Sequence, residues 1–139
     1  MPSKPTMKHI TSDKGSIGEL RVAADLILKG YNVFYPASST SPFDLLVYKD
    51  GEYKRLQVKY RKIRNGVIPT TVERHSISLN KIKAVKNDFM DVLAMYCPDT
   101  DKCYYIPQTE MNKCVSLRVE PTKNGQIKGI RMAEDFLKF

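Results

Sequence analysis

Pro42-Phe-Asp-Leu-Leu-Val-Tyr-Lys-Asp-Gly-Glu-Tyr-Lys-Arg-Leu-Gln-Val-Lys-Tyr60 is the stretch on which the fold turns. Asp50-Gly51 is a two-residue hairpin signal, because both positions tolerate the positive φ that such turns demand. The runs on either side, 43–48 and 53–60, alternate as strands do. With a two-residue loop Lys49 faces Glu52, and counting back along both strands sets Asp44 opposite Gln57. Lys59 follows one pleat further along the same face. A bulge would shift the pairing by one residue and turn Asp44 and Gln57 to opposite sides. The other face carries Phe43, Leu45, Val47, Leu56 and Val58. One side of the hairpin therefore asks for a core, while the other gathers a carboxylate, an amide oxygen and an ammonium group.

Upstream, a helix is expected from about Gly15 to Lys29, stopped by Gly30. Ile17, Leu20, Ala24, Ile27 and Leu28 recur at helical spacing, and Ala23 with Ala24 would let the helix lie close to a sheet. Within it, Ser16-Ile-Gly-Glu19 fits a capping box, in which the glutamate only satisfies a helix-end amide. Glu19 also shares a stripe with Ala23 and Leu26, so its carboxylate leans toward the packed side. A buried carboxylate wants a cation. Glu19, Asp44 and Gln57 together would form an oxygen-rich half-shell suited to Mg2+ or Mn2+.

Further along, Asn32–Ala37 reads as a strand, and the loop from Ser38 to Pro42 delivers the chain to Asp44. A strand is expected near Thr70–Ser78, a helix over Leu79–Met90, and two strands at Asp91–Cys97 and Cys103–Pro107. Ser116–Glu120 reads as one more strand, and Met132–Phe139 as a short closing helix. No repeat or interdomain linker interrupts the chain. Residues 1–139 are read as one domain, with a flexible basic N-terminus over 1–12.

A chain of 139 residues is long enough to bury a core without staples. Its three cysteines, Cys97, Cys103 and Cys114, lack paired spacing, which favours buried reduced thiols over disulfides or zinc. Cys97 and Cys103 sit where a hairpin would let them face each other. His9 and His75 are isolated and are given no role. No apolar run is long enough for a bilayer and no leader is visible, so the expected location is cytoplasmic, with access to DNA. The formal charge of +8 favours a polyanionic partner.

Glu19, Pro42-Phe-Asp44 and Gln57-Val-Lys59 resemble the E, (P)D and (D/E)XK motifs of the PD-(D/E)XK nuclease superfamily. The surrounding text is similar to a small branch holding group I intron homing endonucleases and, more distantly, archaeal Holliday junction resolvases. The resemblance implies an α/β restriction-endonuclease-like fold, with an αβββαβ core and a mixed central sheet flanked by helices. It implies metal-dependent endonuclease activity on double-stranded DNA, with Glu19, Asp44, Gln57 and Lys59 as catalytic residues. Mg2+ or Mn2+ would be held by Glu19, Asp44, the Gln57 side chain and the Val58 carbonyl. Lys59 would orient the attacking water or stabilise the charge on phosphorus, while Arg55, Arg61, Lys62 and Arg64 would track the DNA backbone. Gln57 stands where the family usually has Asp or Glu; its amide oxygen still ligates, though one negative charge is missing. The expected function is that of a sequence-specific homing endonuclease acting as a homo-oligomer. A Holliday junction resolvase cutting branched DNA and a non-catalytic nucleic-acid-binding domain on a degenerate nuclease fold are the alternatives.

Overall fold

The computed structural model describes residues 10–69, 90–111, 116–120, 124–125 and 131–139. Helix α1 runs over Thr11–Leu28. Gly30 ends it at φ +90, with the Gly30 amide donating to the Ile27 carbonyl and the Tyr31 amide to the Leu26 carbonyl, a Schellman closure that needs a left-handed residue. Strands follow at β1 (Asn32–Phe34), β2 (Leu45–Lys49), β3 (Glu52–Tyr60), β4 (Val67–Pro69), β5 (Val92–Cys97), β6 (Lys102–Pro107) and β7 (Ser116–Arg118). The main sheet has the order β1-β2-β3-β5-β6 and is antiparallel except where β5 runs parallel to β3. This is the mixed α/β arrangement expected, a helix and three antiparallel strands followed by a parallel one.

Two cores cover the two faces of that sheet. On the α1 side, Val22 and Leu26 pack onto Leu45, Val47, Leu56, Val58, Ala94 and Tyr105. On the other side, Ile68, Met90, Leu93, Met95, Ile106 and Leu117 form the second core. β5 lies between them and is buried along its whole length, which explains its unbroken apolar run. Burying Val22 and Leu26 stabilises the helix's attachment by about 1.5–3 kcal/mol each.

Several expectations are corrected by these contacts. The buried face of α1 is Gly18, Val22, Ala23 and Leu26, not the stripe through Leu20, Ala24, Ile27 and Leu28. Leu20, Ile27 and Leu28 are 63%, 60% and 87% exposed. Gly18 lies against β3, where a Cβ would stand in ordinary contact with Val58 Cγ1 at 3.5 Å, so the helix turns this narrow side to the strand. β1 stops at Phe34, short of Ala37, as Pro36 has no amide to continue the ladder. β7 is shorter than Ser116–Glu120 and pairs with β4 in a separate two-stranded sheet. The closing helix is one 3-10 turn, Ala133–Phe136.

Cys97 and Cys103 do not face each other: the β5–β6 ladder pairs Tyr96 with Cys103 and Cys97 with Lys102, which puts the two free thiols in opposite cores. The expected strand at Thr70–Ser78 and helix at Leu79–Met90 fall outside the described residues apart from Met90, which is buried and not helical. His9, His75 and Cys114 also fall outside them. No helix among the described residues is long and apolar enough to cross a membrane.

Candidate metal and phosphate site

The β2–β3 turn has Asp50 at φ 50 and Gly51 at φ 84, and the ladder runs from Lys49–Glu52 to Leu45–Leu56 in the register read from the sequence. Asp44 lies one residue beyond it. Its amide donates to the Leu56 carbonyl at 2.9 Å, and its Oδ2 accepts the Val58 amide at 2.7 Å. The carboxylate thus takes the hydrogen bond that a further strand residue would have supplied. The ladder does not set Asp44 opposite Gln57 as the sequence reading expected: Leu45 pairs with Leu56 and the Asp44 amide also bonds Leu56, so the register slips by one residue there and the Asp44 carboxylate lies against the Val58 amide at the edge of β3. The incoming loop is braced by its hydroxyls: Ser41 Oγ donates to the Phe43 carbonyl at 2.9 Å, and Ser38 Oγ accepts the Thr40 amide at 3.2 Å.

Backbone groups along β3 alternate between its two edges. Arg55 and Arg61 bond toward β5, whereas Val58 donates toward Asp44. In a strand a residue's amide and carbonyl face the same edge, so the Val58 carbonyl also faces the Asp44 side, past the end of β2. Gln57 is the reverse case. Its side chain lies on the second-core face, where Gln57 pairs with Leu93, and its Oε1 is buried with no hydrogen-bond partner among the described residues. Leaving such an acceptor unmade costs about 1–3 kcal/mol. Lys59 emerges one pleat further on and makes no ion pair among the described residues.

Glu19 comes from α1, one residue after the close approach at Gly18. The capping box is excluded, because the helix begins at Thr11 and Ser16 instead donates back to the Ser12 carbonyl inside it. Burial first, and the negative charge of Asp44 second, push the Glu19 carboxyl above its ordinary pKa. Two carboxylates held close enough to repel are donors that suit a hard divalent cation, while the orphaned Gln57 oxygen lies on the second-core face of β3. The set holds two acids, and among the described residues no three of the usual His, Cys, Asp or Glu ligands cluster.

Tyr35 is a neighbour the sequence did not reveal. Its phenol is pushed up by burial and then by the charge of Glu19. The only signal was its position, just beyond β1 and ahead of the loop to Asp44. Arg55, expected on DNA, is committed elsewhere. Its Nε and Nη2 donate to the two oxygens of Asp91 at 3.2 and 3.1 Å, and its amide adds a third bond at 2.7 Å. It fastens β3 to the start of β5. Arg61 donates its amide to the Tyr96 carbonyl, while Lys62 and Arg64 are exposed beyond the end of β3.

The model of the PD-(D/E)XK endonuclease family matches residues 9–139. Protein 5.3 of Escherichia phage T7 is 40% identical over 52 residues, which are 37% of this chain and 42% of the phage protein, so less than half of that relative is spanned. The solved structure of a bacterial homing endonuclease, I-Ssp6803I, matches with a TM-score of 0.63 over 92% of this chain and 88% of its own, at 18% identity, a likeness of fold. The chain belongs to the PD-(D/E)XK endonuclease family.

Proposed function

We propose that this endonuclease is a metal-dependent endodeoxyribonuclease cutting a specific duplex sequence, as a homing-type enzyme does. The observation that carries the metal is the buried Oε1 of Gln57, without a hydrogen-bond partner among the described residues and two positions before Lys59 on β3. Asp44, Glu19, Gln57 Oε1 and the Val58 carbonyl would hold Mg2+ or Mn2+. Such an ion supplies positive charge to the scissile phosphate and lowers the pKa of a bound water. Asp44 is oriented for this by the Val58 amide. Lys59 supplies a cation against the negative charge that grows as water adds to phosphorus, one P–O bond breaks and a proton leaves. Lys62 and Arg64 contact the DNA backbone, with Arg61 beside them, and fix the duplex along β3.

The choice of duplex over branched DNA rests on the resemblance of Gln57-Val-Lys59 to the homing endonuclease branch, with which a solved homing endonuclease of the same fold is consistent. One small site cuts one strand, so a double-strand break requires at least a dimer.

Selecting cleaved molecules from a randomised duplex pool, with Mg2+, Mn2+ or EDTA, tests both parts. The expected result is a recurrent sequence, cut only with metal, with each mismatch costing about 1–3 kcal/mol. Cleavage in EDTA would overturn the metal site. Tight, sequence-indifferent binding and symmetric nicking of a four-way junction would overturn the homing reading in favour of a resolvase.

A further inference from the structure

We propose that Asn65, at the tip of the tight turn that follows β3, reads a base edge in the major groove, its side-chain amide hydrogen-bonding to an adenine near the cut. This contact rests on the sequence-specific reading above and gives that reading a residue.

Arg64-Asn65-Gly66-Val67 closes a hairpin of its own. Arg64 and Val67 exchange both backbone hydrogen bonds, at 2.8 and 3.0 Å, while Asn65 and Gly66 hold φ 51 and 76, the paired positive values of a type I′ turn. The flanks are clamped. Asp99 Oδ2 accepts the Ile63 amide at 2.8 Å, the Arg61 amide donates to the Tyr96 carbonyl at 2.9 Å, and the Gly66 carbonyl accepts the Val119 amide at 3.0 Å. Ile63 and Ile68, on either side of the turn, pack into the second core with Leu93 and Met95. Those two pair with Gln57 and Lys59 in the β3–β5 ladder. The hairpin therefore folds onto the sheet face that carries Gln57 and Lys59. Asn65 is six residues past Lys59, at most about 20 Å of extended chain, or about six base-pair steps of duplex.

Turn chemistry does not explain why this residue is asparagine. The other non-glycine residues with positive φ among the described residues are Asp50 and Asp101, so aspartate serves such turns in this chain. The uncharged one is exposed beside exposed Lys62 and Arg64, with the Arg118 guanidinium and the Glu120 carboxylate near Gly66. Its amide has no hydrogen-bond partner among the described residues. Basic neighbours draw phosphates to this edge, where an aspartate would repel them. What they lack is an acceptor. A side-chain amide sets a donor beside an acceptor, the pair that matches N7 and N6 of adenine, in a groove wide enough for a two-stranded β-ribbon. A clamped tip loses little freedom on binding. A merely solvated turn would share the exposure, but changing it would leave base preference untouched.

The test selects bound and cleaved duplexes from a randomised pool with wild type, Asn65→Gly and Asn65→Asp, each checked by thermal unfolding. Both replacements accept positive φ, so melting should stay near wild type. Wild type should select A·T at a position within about six base pairs of the cut. Asn65→Gly should lose that preference by about 5–150-fold, as for one bidentate base contact, while other positions keep theirs. Asn65→Asp should turn against adenine there and toward cytosine, because a carboxylate cannot donate to N7 but accepts from cytosine N4. Unchanged preference in both variants would overturn the contact. So would an even loss across all positions, which marks a phosphate contact instead. A wild type that selects no sequence removes the sequence-specific reading and the contact with it; a sequence selected alike by wild type and both variants removes only the role of Asn65.

Discussion

Helix α1 carries two acids inward, six residues apart, and the protein treats them in opposite ways. Asp25 is satisfied within the fold: its Oδ2 accepts the Tyr105 hydroxyl and, at 2.6 Å, the Lys29 ammonium. Glu19 has neither a hydrogen bond nor an ion pair among the described residues, and the charge acting on it is the negative one of Asp44. An acid that serves structure is surrounded by donors. One left desolvated against another acid stores an unfavourable interaction that a proton or an external cation relieves. The difference separates the end of the helix that holds the fold from the end that we propose serves chemistry.

The sharpest way to break this contrast is at Asp44. Asp44→Ala should lower cleavage on the order of 1,000-fold or more, measured with selected duplex in Mg2+. DNA binding should persist or tighten, since a negative charge near phosphate is removed. The lost Val58 hydrogen bond should cost about 1 kcal/mol of stability. Full activity would mean that the pair of carboxylates is not a cation site.

Asp25→Ala should show the opposite division. It leaves the Tyr105 hydroxyl buried without its acceptor, a loss of about 1–3 kcal/mol in urea unfolding, while the folded fraction keeps its cleavage rate. A folded but inactive Asp25→Ala would abolish the distinction between the two ends of α1.

The third change adds charge where one is missing. Gln57→Glu should fold, and should reach half-maximal cleavage at about tenfold lower metal concentration, because a carboxylate holds a divalent cation better than an amide. An unmoved metal titration would place Gln57 Oε1 outside the coordination shell and return its orphaned state to a packing accident.

The hairpin was legible because Asp-Gly turn chemistry and strict alternation are local, and local rules give the pairing from Lys49–Glu52 to Leu45–Leu56, though not the one-residue slip at Asp44. The Glu19 stripe with Ala23 and Leu26 was legible for the same reason. Leu20, Ile27 and Leu28 misled because hydrophobicity counts large residues, whereas the sheet selected the small ones, Gly18 and Ala23, that permit close approach. Arg55 misled because its basicity is local information and its partner, Asp91, lies 36 residues away, brought there only by the parallel pairing of β3 with β5. Tyr35 was invisible on the same ground: nothing near it in sequence says that Glu19 comes to lie beside it.

The smallest effect expected is the most specific to Glu19. Its pKa is raised in the folded chain, so the native state binds the proton more tightly than the unfolded one. The stability this contributes is fully present below the ordinary glutamate value and is lost as pH rises through the raised one. Asp91 has the opposite sign: its bond from the Arg55 side chain lowers it, so its contribution is present above the ordinary aspartate value and fades on acidification. Without metal at neutral pH, Glu19→Gln should therefore melt slightly above wild type, by about 0.5 kcal/mol or less. Adding Mg2+ or Mn2+ at tenfold excess over its dissociation constant should stabilise wild type by about 1.4 kcal/mol and overtake the variant, which gains much less. Differential scanning across pH with and without metal reads both effects. If the variant melts lower than wild type without metal, Glu19 has a partner inside the fold and belongs with Asp25.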